Sequence, residues 1–257
     1  MTPHPCPITP ACATVTAMNQ PAADRPPLFA RRRDRRGRLR SGPPIWDIRT
    51  WKLLFSAAGL PAFVLLALCG AVFVAQMADG GPAPWGVSGP ALAEGRWYTL
   101  ATHMVSHGGL THLLLNASVL LPLTPLAMVR LGVGPAGWRR FAVLFVGSAL
   151  AGAALYLALN PEGLPMVGAS GAIFGLWGAV ARIGPDGGMI PLRSRRIRDE
   201  VLLVVLLNLA TVGLVYAINQ AEGGGPSVAW EGHAGGFLFG LFAMPWLAPP
   251  TPPPAHY

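Results

Sequence analysis

Charge is what this sequence most lacks. Only 12% of its 257 residues are Asp, Glu, Lys or Arg, against roughly 25% in a soluble domain. The acidic sign is the scarcer one, with 11 Asp and Glu beside 19 Lys and Arg, for a net charge of +8. With a mean hydropathy of +0.46, this deficit argues against an ordinary soluble enzyme. Cysteine is almost absent. Cys6, Cys12 and Cys69 form neither a disulfide framework nor a metal-ligand spacing, and Cys69 reads as packing. Apolar–polar alternation at period two is missing, which excludes a membrane β-barrel. Internal repeats, nucleotide-binding glycine loops and a His-Glu-x-x-His metal motif are also missing. Residues 1–44 lack the apolar core of a signal peptide.

Apolar types, by contrast, make up 52% of the chain, so disorder over its whole length is excluded. They gather into uncharged runs at about 53–78, 110–129, 141–159, 163–181, 201–221 and 232–248. Each is near the ~20 residues that a helix needs to cross ~30 Å of hydrocarbon. The sixth is stopped by Pro249-Pro250, and the fourth is broken by Gly168-Ala169-Ser170-Gly171. The expected fold is therefore an all-α polytopic membrane bundle of six transmembrane helices over residues 45–248. A disordered basic tail is expected at 1–44 and a Pro-rich tail at 249–257.

The basic residues set the expected topology. Of the 19, Arg96 stands alone in the first connection, and the other 18 lie before span one or flank the second and fourth connections. The positive-inside rule puts both termini in the cytoplasm. The run Arg31-Arg32-Arg33-Asp34-Arg35-Arg36 could bind nucleic acid. Anionic lipid is the preferred partner of a basic segment beside a membrane span, so no nucleic-acid role is assigned. A bacterial inner membrane is the expected location for this basic chain with 32 Gly and 27 Pro.

Polar residues at membrane depth are the functional candidates. His112 and Asn116 are four apart, on one face of span two. His103 and His107 are also four apart, if their stretch is helical. A helix from Ser170 to Ala181 rises about 17 Å, and one from His233 to Leu247 about 21 Å. Spans four and six run in the same direction, so Ser170 and His233 reach one layer below the membrane surface. A Ser–His pair needs such a meeting, because hydroxyl and imidazole must come within ~3 Å. Gly171 and Gly175 on span four, and Gly236 and Gly240 on the face of His233, let the two backbones approach closely. Ser170 opens its helix, where free backbone N–H groups favour an oxyanion. His112 and Asn116 carry donors that can join them. A nucleophile, a base and oxyanion donors together suit acyl transfer.

Bland readings compete with these. A serine among small residues is commonly helix-packing filler, and an asparagine such as Asn116 is commonly interhelical glue. His103-x3-His107 has a zinc-compatible helical spacing, but no carboxylate or cysteine completes it, so no metal is expected. His103 and His107 read instead as hydrogen bonds between the large loop and the bundle. Asn208, Asn219 and Trp177 have no evident partners and are assigned to packing. A small transporter would carry inverted repeats and charges in mid-span, and neither is present.

Ser170 within Gly168-Ala169-Ser170-Gly171, the run His107-x4-His112-x3-Asn116 with His103 ahead of it, and His233-x2-Gly236-x3-Gly240 resemble the rhomboid intramembrane serine proteases. The resemblance covers about residues 45–248. It implies a six-helix core with a Ser–His dyad and no third Asp, acting without a cofactor on transmembrane protein substrates that enter from the lipid bilayer. It implies Ser170 as nucleophile and His233 as general base, with His112, Asn116 and the Ser170 N–H as oxyanion hole. Gly168 matches the family glycine two before the nucleophile. Three positions depart from the family pattern. Thr99 stands where Arg is expected, Phe174 where many members have Tyr beneath the base, and Met128 about where a Glu is often found. A rhomboid-like protein that binds membrane helices without cutting them would lack the Ser or the His, and both are here.

Overall fold

A computed structural model describes residues 48–184, 187–222 and 228–250. The expected tail at 1–44, with its Arg31–Arg36 run, lies outside the described residues, as does all of the expected 249–257 tail beyond residue 250. Among the described residues there are nine α-helices and no β-strands. In chain order these are α1 (Ile48–Leu54), α2 (Leu60–Ala78), α3 (Gly89–Ala93), α4 (Thr99–Thr102), α5 (Leu110–Leu131), α6 (Pro135–Leu159), α7 (Ser170–Ala181), α8 (Arg195–Glu222) and α9 (Trp230–Leu247). Helices α2, α5, α6 and α8 are long and apolar enough to cross a membrane. With the shorter α7 and α9, they account for the six apolar runs.

Two of the runs do not form one continuous helix, each for a local reason. The first run does not start a helix at residue 53. The chain ends α1 at Leu54, turns, and begins α2 at Leu60 with Pro61 in its first turn, where proline is tolerated because its missing N–H would be unpaired anyway. The fourth run is helical only from Ser170. Its earlier part is extended, and Met166 pairs in an antiparallel bridge with Val87 of the loop that follows α2. Both backbone bonds of that bridge form, at 3.0 and 2.8 Å, so the apolar stretch 163–169 is tied to the loop rather than wound into the helix.

The α2 end, the loop at 79–109, the starts of α5, α7 and α9, and the ends of α6 and α8 share one side of the bundle, here called the loop side. Arg130, Arg139, Arg140, Arg182 and Arg195 lie at the opposite, basic side. There the Arg130 Nε–H donates to the Gly187 carbonyl at 2.7 Å, and an Arg140 N–H to the Leu131 carbonyl at 3.0 Å. The second bond caps the Leu131 carbonyl, one of those at the end of α5 that helix geometry leaves free.

Helix α7 is the innermost element. Ala172, Leu176 and Ala179 are fully buried, and they join Leu123 and Leu126 of α5, Leu144 and Phe145 of α6, and Met244 of α9 in one core. Its small residues cause that placement. A methyl group on Gly236 would overlap the Gly171 carbonyl oxygen, and one on Gly240 the Gly175 carbonyl oxygen. On the α6 side, a methyl on Gly235 would sit 2.6 Å from the Ala151 oxygen. Helices α6, α7 and α9 thus meet at backbone distance, as small residues allow in lipid.

Helix α8 is the least embedded. Ile197, Val204 and Asn208 are buried, while Leu202, Leu209 and Leu214 are exposed, as suits a face turned to lipid tails. Ile197 and Val204 pack with Ala181, Phe237 and Leu241 of α7 and α9.

Candidate active site

The α7–α9 approach brings together two residues 63 apart in sequence: His233 Nε2 lies 2.9 Å from Ser170 Oγ. Ser170 is the first residue of α7 and His233 stands in the first turn of α9. Their helices start on the same side at backbone contact, so two short side chains suffice to meet. The imidazole is held from two directions. Phe174, one turn below Ser170, stacks on it with ring centroids 4.3 Å apart and planes 11° apart. Its other nitrogen, Nδ1, is 2.7 Å from Asn208 Oδ1 of α8.

Gly168 positions the approach to Ser170. Its φ of +125° lies where glycine alone is at ease, and its N–H donates to the His103 carbonyl at 2.8 Å. A Cβ there would lie 2.7 Å from His112 Cε1, 2.9 Å from His112 Nε2 and 3.6 Å from Ser170 Oγ. His112 and the Ser170 hydroxyl therefore border the same small space, which a side chain would fill. The Gly108 N–H donates to His112 Nδ1 at 3.3 Å. That nitrogen is an acceptor, so the proton of the neutral ring sits on Nε2, facing the Gly168–Ser170 turn. The backbone N–H groups of the first turn of α7 have no acceptor within their own helix, and the first bond of that kind is Ile173 N–H to Ala169.

Asn116 lies one turn further along α5, buried at 8% exposure, with Nδ2 donating to the His112 carbonyl at 2.9 Å. It shares the face of His112, as the spacing required, and is engaged with that residue's backbone rather than with Ser170. His103 and His107 do not share a helix face. His103 ends the short α4 and its Nδ1 lies 3.0 Å from the Thr99 carbonyl. His107 sits in the irregular stretch beyond, fully buried, edge-on to His112 with centroids 5.2 Å apart. Its backbone is clasped by Gln76 of α2: the Gln76 amide donates to the His107 carbonyl and accepts from the His107 N–H. His107 so ties the loop to α2 through its main chain.

The three departures are accommodated by packing. Thr99 is fully buried and its hydroxyl donates to the Arg96 carbonyl at 2.7 Å. Phe174 stacks on the histidine, and Met128 is fully buried in the core. Two of the packing assignments are corrected. Trp177 donates its indole N–H to Glu200 of α8 at 2.9 Å, and Asn208 meets His233. An amide in the middle of an apolar span was the available signal for Asn208, since such a group seeks a partner. The side chain of Asn219 lies outside the described residues.

Fold and site define a multi-pass helical membrane protein in which a serine at a helix start meets a histidine of a neighbouring helix. Residues 94–250 match the Rhomboid domain family. That is more than half of the chain, which belongs to the rhomboid family. It is 28% identical over 159 residues to Rhomboid protease GluP of Bacillus subtilis (strain 168), covering 62% of this chain and 28% of that protein. It is 33% identical over 129 residues to the Putative rhomboid protease YdcA of the same organism, covering 50% of this chain and 59% of that one. With RHOMBOID-like protein 5 of Arabidopsis thaliana it shares 32% identity over 152 residues, covering 59% and 44%. The matched segments thus span 28% to 59% of these relatives' lengths.

Proposed function

We propose that this chain is an intramembrane serine endopeptidase that hydrolyses peptide bonds in or near transmembrane segments of membrane proteins. The 2.9 Å contact of Ser170 Oγ with His233 Nε2 carries the reading, and two relatives whose names include rhomboid protease support it. Ser170 is the nucleophile and His233 the general base. As Oγ bonds to the scissile carbonyl carbon, its proton passes to Nε2. The oxyanion that forms is met by the Ser170 N–H, by the His112 Nε2–H and by the second N–H of Asn116 Nδ2. The C–N bond then breaks, and His233 returns the proton to the leaving amine. Water, deprotonated by the same imidazole, opens the acyl-enzyme and frees Ser170.

The substrate is a transmembrane helix reaching the site from the bilayer. All its backbone bonds are satisfied internally, so its end must unwind before a carbonyl can reach Ser170. Weak helix formers near the cut make that easier. Both termini face the cytoplasm of a bacterial cell, because the basic side carries the arginines, and the loop side with the dyad faces outward. The test is cleavage of a single-span reporter protein in proteoliposomes. Wild type should cut it, while Ser170→Ala and His233→Ala, folded to the same melting temperature, should not. Cleavage at the wild-type rate by Ser170→Ala would overturn the assignment.

A further inference from the structure

Asn208 lies on α8, in a span whose other residues are almost all apolar, and is buried at 9% exposure. Its amide is used at both ends. Nδ2 donates to the Val204 carbonyl one turn back at 2.8 Å, and this fixes which end faces α9. Oδ1 is left toward His233 Nδ1 at 2.7 Å. An amide oxygen only accepts, so Nδ1 must carry the imidazole proton. Nε2 then presents its lone pair to the Ser170 hydroxyl at 2.9 Å. That is the tautomer a general base needs, and in serine hydrolases a third group commonly holds it.

We propose that Asn208 is a positioning residue: its side-chain oxygen orients His233 and holds the proton on Nδ1, so that Nε2 is free to take the proton of Ser170. The proposal rests on the reading of Ser170 and His233 as nucleophile and base. The helix that carries Asn208 gives it a second consequence. The docking of α8 depends on the Ile197 and Val204 contacts with Phe237 and Leu241, and on the Glu200–Trp177 hydrogen bond. A shift of α8 away from α9 by a few ångströms takes the acceptor away from His233. The base is therefore fully oriented only while α8 is docked. When the imidazole becomes a cation in the reaction, the Nδ1–H bond to Oδ1 becomes charge-assisted and shorter.

The experiment compares wild type, Asn208→Leu, Asn208→Ala and Asn208→Asp as full chains in proteoliposomes, with kcat and KM measured on the single-span reporter. Leu keeps the branched shape and removes the acceptor, and Asp restores it. The expected result is a kcat lower by about 10²-fold in the Leu and Ala variants, with KM within about twofold. Asp should recover most of the loss. Wild-type kcat in Asn208→Leu, or an equal loss in Leu and Asp variants, would overturn the proposal. A second readout needs no turnover: the ¹⁵N spectrum of the His233 ring, assigned by its loss in His233→Ala. Wild type should show the Nδ1–H tautomer and Asn208→Leu a mixture or the other form; an unchanged tautomer in Asn208→Leu would overturn the proposal. A wild type that cuts nothing yet shows the tautomer shift overturns the protease reading and upholds the Asn208 contact.

Discussion

Phe174 lies flat against His233, with centroids 4.3 Å apart and planes 11° apart. The same ring stacks on Trp177 at 5.7 Å, so the imidazole rests on a column of aromatic rings built from one face of α7. This face-to-face support limits how the imidazole can tilt, and it needs no phenolic hydroxyl. Phe174→Tyr should keep activity within about twofold. Phe174→Ala removes a contact worth roughly 0.5–1.5 kcal/mol and should lower kcat about 3- to 10-fold. Reporter cleavage by the two variants, side by side, checks this.

The glycine seam makes a sharper prediction. A Cβ on Gly240 meets the Gly175 carbonyl oxygen, and one on Gly236 the Gly171 oxygen. Neither oxygen can swing aside, so α7 and α9 must separate, and Ser170 and His233 with them. Gly240→Ala and Gly236→Ala should each cost about 1–3 kcal/mol of stability and abolish most cleavage. Gly213 on α8 faces open space, and Gly213→Ala should leave both unchanged. Thermal melts with cleavage rates on the same preparations test all three variants.

On the proposed mechanism, His112 and Asn116 should separate from Ser170 and His233 in the size of their effects. Asn116→Ala removes one donor and should lower kcat by about 10²–10³-fold. His112→Ala should act in the same range, because Nε2–H is the ring's free donor once Gly108 holds Nδ1. Neither should change the expression or melting of the protein much. An Asn116→Ala variant with full kcat would remove Asn116 from the oxyanion site.

Gln76 offers a test away from the chemistry. It is fully buried and bonds both the N–H and the carbonyl of His107. Gln76→Ala would leave both groups buried and unpaired, at about 1–3 kcal/mol each before water enters. The stretch 104–109 should then exchange its amide hydrogens faster, and His112, edge-on to His107, should lose its support. Hydrogen exchange measured by mass spectrometry on the Gln76→Ala variant reads this directly.

The parts of this architecture set by composition were legible in the sequence. Span-length apolar runs stand out because lipid demands them, and the arginines at their ends mark one side. Ser170 and His233 could be paired because both stand at breaks in the apolar pattern, and because glycines at matching positions implied close backbones. The start of α2 was not legible. Leu53 and Leu54 are as apolar as the residues after Leu60, and only the Gly59–Pro61 turn divides them. The extended stretch before Ser170 was hidden for a similar reason: Leu164, Met166 and Val167 read as span, while the backbone of Met166 is paired with the loop at Val87. Asn208 was missed as a partner of His233 because the contact depends on how α8 docks against α9, and no periodicity within either helix encodes that.

The central claim is that the Ser170 hydroxyl is activated by His233. It is tested most directly by treating the detergent-purified chain with a fluorophosphonate and locating the adduct by mass spectrometry. Wild type should carry one adduct, on Ser170, and Ser170→Ala and His233→Ala should carry none. An equal adduct in Ser170→Ala, or no adduct in a folded wild type, would contradict the account.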